Sequence, residues 1–292
     1  NCLHYAAQSS SDIFTYLINV EYFSSPMLMV KNNNNEIPLI ISVAKKPKIA
    51  VMLFEKDLVS KEMINFYNGY HHTSFHVAAL CQRPKLVDLF LKSPHMSKEI
   101  MESIDTDGNT LFDHKSINDP DMNKIVQSNH FDVSMVMRSC KKLIKNENSA
   151  SEYSTTIMHS FLIMGMHDTV KTLIKKFADT DLLSLQDQEK NSVFNYAILS
   201  KSLFDTILEV PYLSETHLES KGSDGQNCLM NMVQENRVDH INKILKHQKC
   251  RSELITAKDS NGNTILSYIP MESTIFTSLL ETGFITGDMI DT

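Results

Sequence analysis

The chain has 292 residues, of which 28 are Lys or Arg and 35 are Asp or Glu, so its formal net charge is −7. Hydrophobic residues make up 42% and charged residues 22%, which is typical of a folded globular chain and excludes a disordered one. Only 8 residues are glycine, too few for a protein built on glycine-rich phosphate loops or for a turn-dense all-β fold.

A short motif recurs from the N-terminus onward: a polar residue, an apolar residue, His or another polar residue, and then small apolar residues. It is clearest at 1–7, Asn-Cys-Leu-His-Tyr-Ala-Ala, and at 73–79, Thr-Ser-Phe-His-Val-Ala-Ala. The third residue of the copies is Leu3, Leu39, Phe75, Phe112, Met158, Phe194, Leu229 and Leu266. Apart from one longer interval after Phe112, these positions lie 35 to 37 residues apart. The spacing predicts about eight copies of one structural unit.

Each copy is followed by apolar residues at helical spacing, which predicts two short antiparallel helices in each unit. Asp107-Gly108, Asp224-Gly225 and Asn261-Gly262 precede three of the copies and predict tight turns. A capping Ser or Thr followed by polar and apolar residues, as at 60–64 and 97–101, predicts a third, brief helical turn in most units. The run Asn32–Asn35 is interpreted as a low-complexity loop without evident chemistry.

Residues 115–155 depart furthest from the repeat and form an irregular unit with an insertion. We expect a helix within 131–145 and a loop at 146–154. Four basic residues accompany apolar ones in this helix: Arg138, Lys141, Lys142 and Lys145. The helix would be either an amphipathic docking element or a solvated face, and charge runs favour the solvated face.

The motif resembles the opening of the ankyrin repeat, Thr-Pro-Leu-His-x-Ala-Ala, although the period here is about 36 residues where that family has about 33. The resemblance implies an all-α fold, an ankyrin-type α-solenoid of about eight helix-turn-helix units with finger turns. It would span residues 1–292 as one domain, as a fragment of a longer array with further repeats on either side.

The resemblance also implies roles for residues that match the motif. Four threonines would cap the first helices: Thr73, Thr110, Thr156 and Thr264. Three histidines would hydrogen-bond between neighbouring units: His4, His76 and His159.

Chemical motifs of enzymes are absent: the sequence contains no Gly-Lys pair, no Gly-x-Gly-x-x-Gly, no His-Glu-x-x-His and no Gly-x-Ser-x-Gly. Histidines gather at His71, His72 and His76, and again at His240 and His247 near Cys250. Neither group has the spacing of a zinc site. We therefore expect no catalytic residue, no cofactor and no metal, and predict that the chain is not an enzyme.

The resemblance to ankyrin repeats implies a scaffold for protein–protein interaction, which binds through finger tips and the concave helix face. The finger before the third motif carries the strongest candidates for partner contact, Tyr67, Tyr70 and His71. The alternative is that Phe66 and Tyr67 only pack beneath the finger.

Three narrower functions stay open. The chain could be an inhibitor-of-kappa-B-like regulator of a transcription factor, the cytosolic ankyrin region of a TRP-type ion channel, or the substrate-recruiting arm of an enzyme.

The composition indicates which classes of partner and which cellular compartment fit the chain. The negative net charge disfavours nucleic acid as a partner. No apolar stretch is long enough for membrane insertion. The five cysteines form no disulfide-type pattern, so we expect a cytoplasmic protein that is also compatible with the nucleus.

Overall fold

The computed structural model describes residues 1–137, 139–146, 149–270, 274–285 and 287–290. The chain divides into two compact bodies, an N-terminal body Asn1–Met135 and a C-terminal body Val136–Thr292. Within the described residues eight helical repeats are present. Each repeat has two main helical segments and one short third turn, so the third turn predicted for most units is confirmed.

The first four repeats run from the N-terminus to α10, within which the boundary between the two bodies falls. Their elements are α1 (Cys2–Ser9), α2 (Ser11–Ile18), a 3₁₀ turn (Ser25–Met29), α3 (Pro38–Lys45), α4 (Pro47–Glu55), α5 (Lys61–Ile64), α6 (Ser74–Leu80), α7 (Pro84–Lys92), α8 (Lys98–Glu102), a 3₁₀ turn (Leu111–Asp113), α9 (Asp119–Gln127) and α10 (Val133–Met137).

A hairpin of two antiparallel strands, β1 (Ser139–Asn146) and β2 (Ser149–Thr156), precedes the last four repeats. The elements that follow are α11 (Ile157–Ile163), α12 (His167–Lys176), a 3₁₀ turn (Leu182–Ser184), α13 (Val193–Ala197), α14 (Lys201–Leu208), α15 (Glu215–Glu219), α16 (Cys228–Gln234), α17 (Val238–Leu245), α18 (Ser252–Thr256), a 3₁₀ turn (Ile265–Tyr268), α19 (Thr274–Leu280) and α20 (Gly287–Ile290).

The hairpin corrects one prediction: the helix expected within 131–145 ends at Met137, and most of the loop expected at 146–154 is strand. The register pairs Ser139 with Thr156 and Asn146 with Ser149. Thr and Tyr in β2 favour an extended backbone, and strand pairing satisfies the N–H and C=O groups that a helix would otherwise have paired internally. The insertion in the irregular unit is therefore this hairpin.

Helices in equivalent positions pack against one another from repeat to repeat. In the N-terminal body α1 contacts α3 and α3 contacts α6, while α4 contacts α7 and α7 contacts α9. In the C-terminal body α11 contacts α13, α12 contacts α14 and α17 contacts α19. Ion pairs join the second helices across repeats, such as Lys124 with Asp88 at 3.1 Å. This is the nearest-neighbour stacking of a repeat protein.

The recurring apolar position of the sequence motif forms the core. Leu3, Leu39, Phe75, Phe112, Met158, Phe194 and Leu229 are buried, and Leu266 is half-buried. Full burial of such a side chain stabilises the fold by about 1.5–3 kcal/mol. The 36-residue period therefore places one apolar anchor in each repeat.

The predicted caps are confirmed at two of the four threonines. Thr73 and Thr156 accept a hydrogen bond from the backbone N–H three residues on, at His76 and His159. The hydroxyl of Thr110 instead donates to Asp113 at 2.7 Å, while Thr264 begins its 3₁₀ turn without a side-chain cap bond. Such a cap contributes about 1 kcal/mol.

The motif histidines contact the next repeat. The Nε2 atom of His4 lies 3.0 Å from the carbonyl oxygen of Glu36, and that of His76 lies 3.3 Å from the Ser103 hydroxyl. The ring of His159 is 5.7 Å from that of Tyr196. For His4 and His76 the expected hydrogen bond between neighbouring repeats is confirmed.

The described helices include none that is both long and apolar enough to cross a bilayer. The longest, α12, has 10 residues, against the roughly 20 that a span requires.

Two glycines with the same backbone conformation give the first prediction. Gly225 and Gly262 occupy equivalent finger positions with φ of +78° and +84°. A Cβ on Gly225 would lie 2.5 Å from the backbone nitrogen of Ser260, whereas one on Gly262 would meet nothing within 4 Å. Gly262→Ala should cost about 1 kcal/mol of unfolding free energy from the left-handed conformation alone. Gly225→Ala should cost about 2–3 kcal/mol because the close contact adds to that penalty. Urea unfolding followed by circular dichroism measures both, and equal costs would contradict the close approach of the two fingers.

The cap of α11 gives a second prediction. Burial lowers the pKa of His159, so below the ordinary histidine value of about 6.5 the unfolded chain binds a proton that the folded chain resists. Stability should therefore fall as the pH decreases from 7.5 to 5, at up to about 1.4 kcal/mol per pH unit for this group. At the equivalent position of the sixth repeat, the Oδ1 atom of Asn195 accepts hydrogen bonds from the backbone N–H and the hydroxyl of Ser192. His159→Asn should keep the cap and make the pH dependence of the unfolding free energy shallower, and an unchanged slope would contradict the assignment.

Candidate partner-binding site

Each finger turn is built on one residue at its base. In five fingers this residue is Asn or Asp, and its Oδ1 atom accepts hydrogen bonds from the backbone N–H groups two and four residues later, at 2.8–3.0 Å. These base residues are Asn32, Asn68, Asp105, Asp187 and Asp259. The Asn32–Asn35 run, interpreted from the sequence as a low-complexity loop, is therefore part of a regular finger turn.

The residue three positions after the base has a positive φ. It is Gly108 or Gly262 in two fingers, but Asn35, His71 and Lys190 hold the position in others, with φ of 56°, 62° and 60°. This conformation is costly for residues with a Cβ. The hydrogen bonds to the base side chain hold the turn in place against that cost.

Backbone hydrogen bonds also join neighbouring fingers. In the N-terminal body the N–H of Thr106 donates to the carbonyl of Tyr70 at 3.3 Å. In the C-terminal body Ser223 donates in the same way to Glu189 at 2.7 Å and Ser260 to Asp224 at 2.9 Å. Successive fingers thus fix one another's positions within a body.

The third finger, residues 66–72, carries the predicted aromatic residues. The rings of Tyr67 and His71 are stacked, with centroids 4.3 Å apart and planes 12° from parallel. The Nδ1 atom of His71 lies 2.6 Å from the carbonyl oxygen of Ile104, and the carbonyl of Tyr67 accepts a hydrogen bond of 3.0 Å from Asn35. The finger is therefore held from both sides, by the second finger and by the segment that leads to the fourth.

Tyr70 projects from this fixed turn and is 69% exposed. Ile104, whose backbone contacts His71, is 44% exposed. Tyr67 is half-buried and His71 exposed. The two alternatives from the sequence thus divide between the tyrosines: Tyr67 packs within the finger, whereas Tyr70 is available for contact with a partner. We name the exposed part, Tyr70, His71 and Ile104, the finger-three patch.

The second predicted group belongs to the C-terminal body. Arg138 lies outside the described residues, and Lys141, Lys142 and Lys145 lie on β1, for which the backbone alone is described. The helix on which they were placed is replaced by the hairpin. Their role in partner binding stays a prediction.

Sequence reasoning missed the groups that surround the base of the fourth finger. The Nε2 atom of His114 lies 3.1 Å from Oδ2 of Asp105. Partial burial by itself would raise the pKa of Asp105, but the N–H groups of Asn109 and Asp107 outweigh it and lower the pKa below its ordinary value. The sequence contains a signal for this contact: His114 follows Asp105 by nine residues, and Tyr196 and Tyr268 follow their finger aspartates at the same spacing. In the structure both tyrosine hydroxyls donate to those aspartates.

Nearby, His76 is buried behind the finger. Its Nδ1 atom lies 2.7 Å from the hydroxyl of its capping residue Thr73. Burial lowers the pKa of His76 to about 3, so the ring is neutral near pH 7. It has a capping role and is not available as a surface charge.

The repeated unit defines the class of the fold: a finger turn, two antiparallel helices and stacking of equivalent helices form the ankyrin repeat architecture, lengthened here by the third turn. No protein-family model matches the chain, and no curated protein matches it either.

The solved structures that are similar to the chain include two ankyrin repeat proteins. One is the ankyrin repeat domain of Bcl-3, described as a unique member of the IkappaB protein family, with 14% identity, a TM-score of 0.43 and coverage of 96% of this chain and 98% of that chain. The other is the ankyrin repeat protein EF0377, with 15% identity, a TM-score of 0.42 and coverage of 57% of this chain and 76% of that chain. The ankyrin-type fold follows from the geometry of the repeats themselves.

The base of the fourth finger gives a third prediction. Asp105→Ala removes the acceptor for two backbone N–H groups and should cost about 2–3 kcal/mol of unfolding free energy. Asp105→Asn keeps an Oδ1 acceptor, as Asn32 and Asn68 do in their fingers, and should cost less than about 1 kcal/mol. Thermal or urea unfolding of both variants tests this difference. Similar losses would show that the negative charge, and not the turn, is what the finger requires.

Proposed function

We propose that the chain is a non-catalytic protein-interaction module whose N-terminal body binds a partner protein through the finger-three patch. The observation that carries this proposal is the 69% exposure of Tyr70 on a finger that is fixed on both sides. A large aromatic side chain exposed on a rigid turn is costly to leave in water and suits the pocket of a partner.

The rigidity of the finger supports this role. The N–H of Tyr70 donates to the base residue Asn68 at 3.0 Å, and its carbonyl accepts from Thr106. The backbone of Tyr70 is therefore ordered before binding, so that association has to fix only its side-chain torsions. The adjacent Tyr67–His71 stack provides a flat, partly polar surface beside it. Such a patch fits an apolar or aromatic pocket with polar groups at its rim.

The concave helix face stays a second prediction for the same function. The narrower functions stay hypotheses, and a different observation would support each of them. A Rel-type domain bound to the chain would favour the regulator of a transcription factor, and membrane spans in a longer parent chain would favour the TRP-type channel. Catalytic turnover that is lost on substitution of a single His or Cys would favour an enzyme over a binding module.

The compartment belongs to the same proposal. Four cysteines among the described residues are free, of which Cys2 and Cys81 are exposed. Free exposed thiols persist in a reducing environment. We place the function in the cytoplasm, with the nucleus as the other compartment that fits.

A matched pair of tyrosine variants tests the proposal. Tyr22, between α2 and the first 3₁₀ turn, is 82% exposed and lies outside the finger-three patch. Tyr70→Ser and Tyr22→Ser should both leave the unfolding free energy within about 0.5 kcal/mol of the parent chain, because both side chains are exposed. Quantitative affinity enrichment should recover the same partner proteins with the parent chain and with Tyr22→Ser, and lose them with Tyr70→Ser.

Two outcomes would contradict the proposal. One is that no protein is enriched specifically by the parent chain. The other is that Tyr70→Ser recovers the same proteins in the same amounts. That result would favour the concave helix face as the binding surface.

A further inference from the structure

Two fingers of the N-terminal body bring three metal-ligating side chains together. His72 is the last residue of the third finger, Asp105 is the base of the fourth, and His114 follows the 3₁₀ turn that the fourth finger introduces. The Nε2 atoms of His114 and His72 lie 3.1 and 3.7 Å from the same Oδ2 atom of Asp105. All three ligand atoms lie within 4.8 Å of one another.

One atom of this cluster has no hydrogen-bond partner among the described residues. The Nε2 atom of His72 is buried and makes no hydrogen bond, since Asp105 is beyond bonding distance. A buried polar atom left without a partner costs about 1–3 kcal/mol. An ion that accepts its lone pair would remove this cost.

The ring nitrogens of the neighbouring histidines, His76 and His71, already have other partners, so these two residues do not belong to the cluster. His76 is bonded to Thr73 through Nδ1 and lies 3.3 Å from the Ser103 hydroxyl through Nε2. The Nδ1 atom of His71 lies 2.6 Å from the carbonyl of Ile104. Only the rings of His72 and His114 present their Nε2 atoms to Asp105 among the described residues.

Equivalent positions elsewhere in the chain show what the fold alone requires. The residue nine positions after the finger aspartate is Tyr196 in the sixth repeat and Tyr268 in the eighth, and each hydroxyl donates to its aspartate. The position of His72 within a finger is taken by Asn109, Asn191 and Asn263 in other fingers. Other fingers of the chain therefore form without an imidazole at either position.

We propose that His72, Asp105 and His114 bind one Zn²⁺ ion, with water in the remaining position. Zinc takes imidazole nitrogen and carboxylate oxygen at about 2.0–2.2 Å, so ligand atoms around a tetrahedral ion lie about 3.4 Å apart. The separations of 3.1 and 3.7 Å from Oδ2 of Asp105 lie on either side of this value. The ion would link the third finger to the fourth and so fix the backbone that presents Tyr70. The site does not depend on the proposed function, because it is defined by its ligands.

The test uses the whole chain, freed of metal with a chelator and titrated with zinc sulfate by isothermal calorimetry near pH 7.5. We expect one saturable zinc site per chain. His114→Tyr and His72→Asn should each weaken zinc affinity at least about tenfold, while they place at these positions the residue types that other fingers carry. His130→Asn, which changes a histidine outside the cluster, serves as the control and should bind zinc as the parent chain does.

Folding of the variants is checked separately by circular dichroism in the absence of metal, so that loss of zinc binding is not confused with loss of the finger. Equal zinc affinity in the parent chain, His114→Tyr and His72→Asn would overturn the proposal. The absence of saturable zinc binding by the parent chain would overturn it as well. Neither result would affect the role of Tyr70, which is read from partner enrichment.

Discussion

The hydrogen bonds from two backbone N–H groups to one Asn or Asp side chain are the interaction on which five of the six described fingers depend. The described helices are at most ten residues long, too short to be stable alone in water. They persist because the finger fixes where the next helix begins and because the neighbouring repeat covers its apolar face. A repeat is therefore stable only in the presence of its neighbours, and the loss of one finger base weakens the packing on both sides of it.

This arrangement explains how a chain so poor in glycine makes so many tight turns. Five fingers use an Asx base, and it keeps the turn closed even where His71 or Lys190 occupies the left-handed position. Between helices, Gln82 and Asn236 also have a positive φ. The free energy lost to these conformations is offset by hydrogen bonds and by burial of one apolar anchor in each repeat.

Much of the fold could be predicted because residue types that fill the core or cap a helix recur at fixed positions in the repeats. Leu3, Leu39 and Phe75 recur at a regular spacing because each is buried in the core of its repeat. The third turn is predictable because a capping residue precedes apolar ones. The hairpin at 139–156 could not be predicted, because Leu143 and Ile144 fit a helix as well as a strand and the choice depends on pairing with a later segment. The cluster around Asp105 was missed for a similar reason: it joins residues from two fingers that only stacking brings together.

The residue two positions after each finger base lies where its exposure affects how the chain can change during evolution. It is Asn34, Tyr70, Asp107, Glu189, Asp224 and Asn261 in successive described fingers, and it is exposed in all of them. In five fingers the base side chain accepts a hydrogen bond from its N–H. Its own side chain bonds within the finger at Glu189, which accepts from Asn191, and at Asp224, which accepts from the N–H of Gln226. Where the side chain makes no such bond, as at Asn34 and Tyr70, a substitution costs little folding free energy. A single finger can therefore acquire a new binding specificity by drift at one site, without any rebuilding of the scaffold.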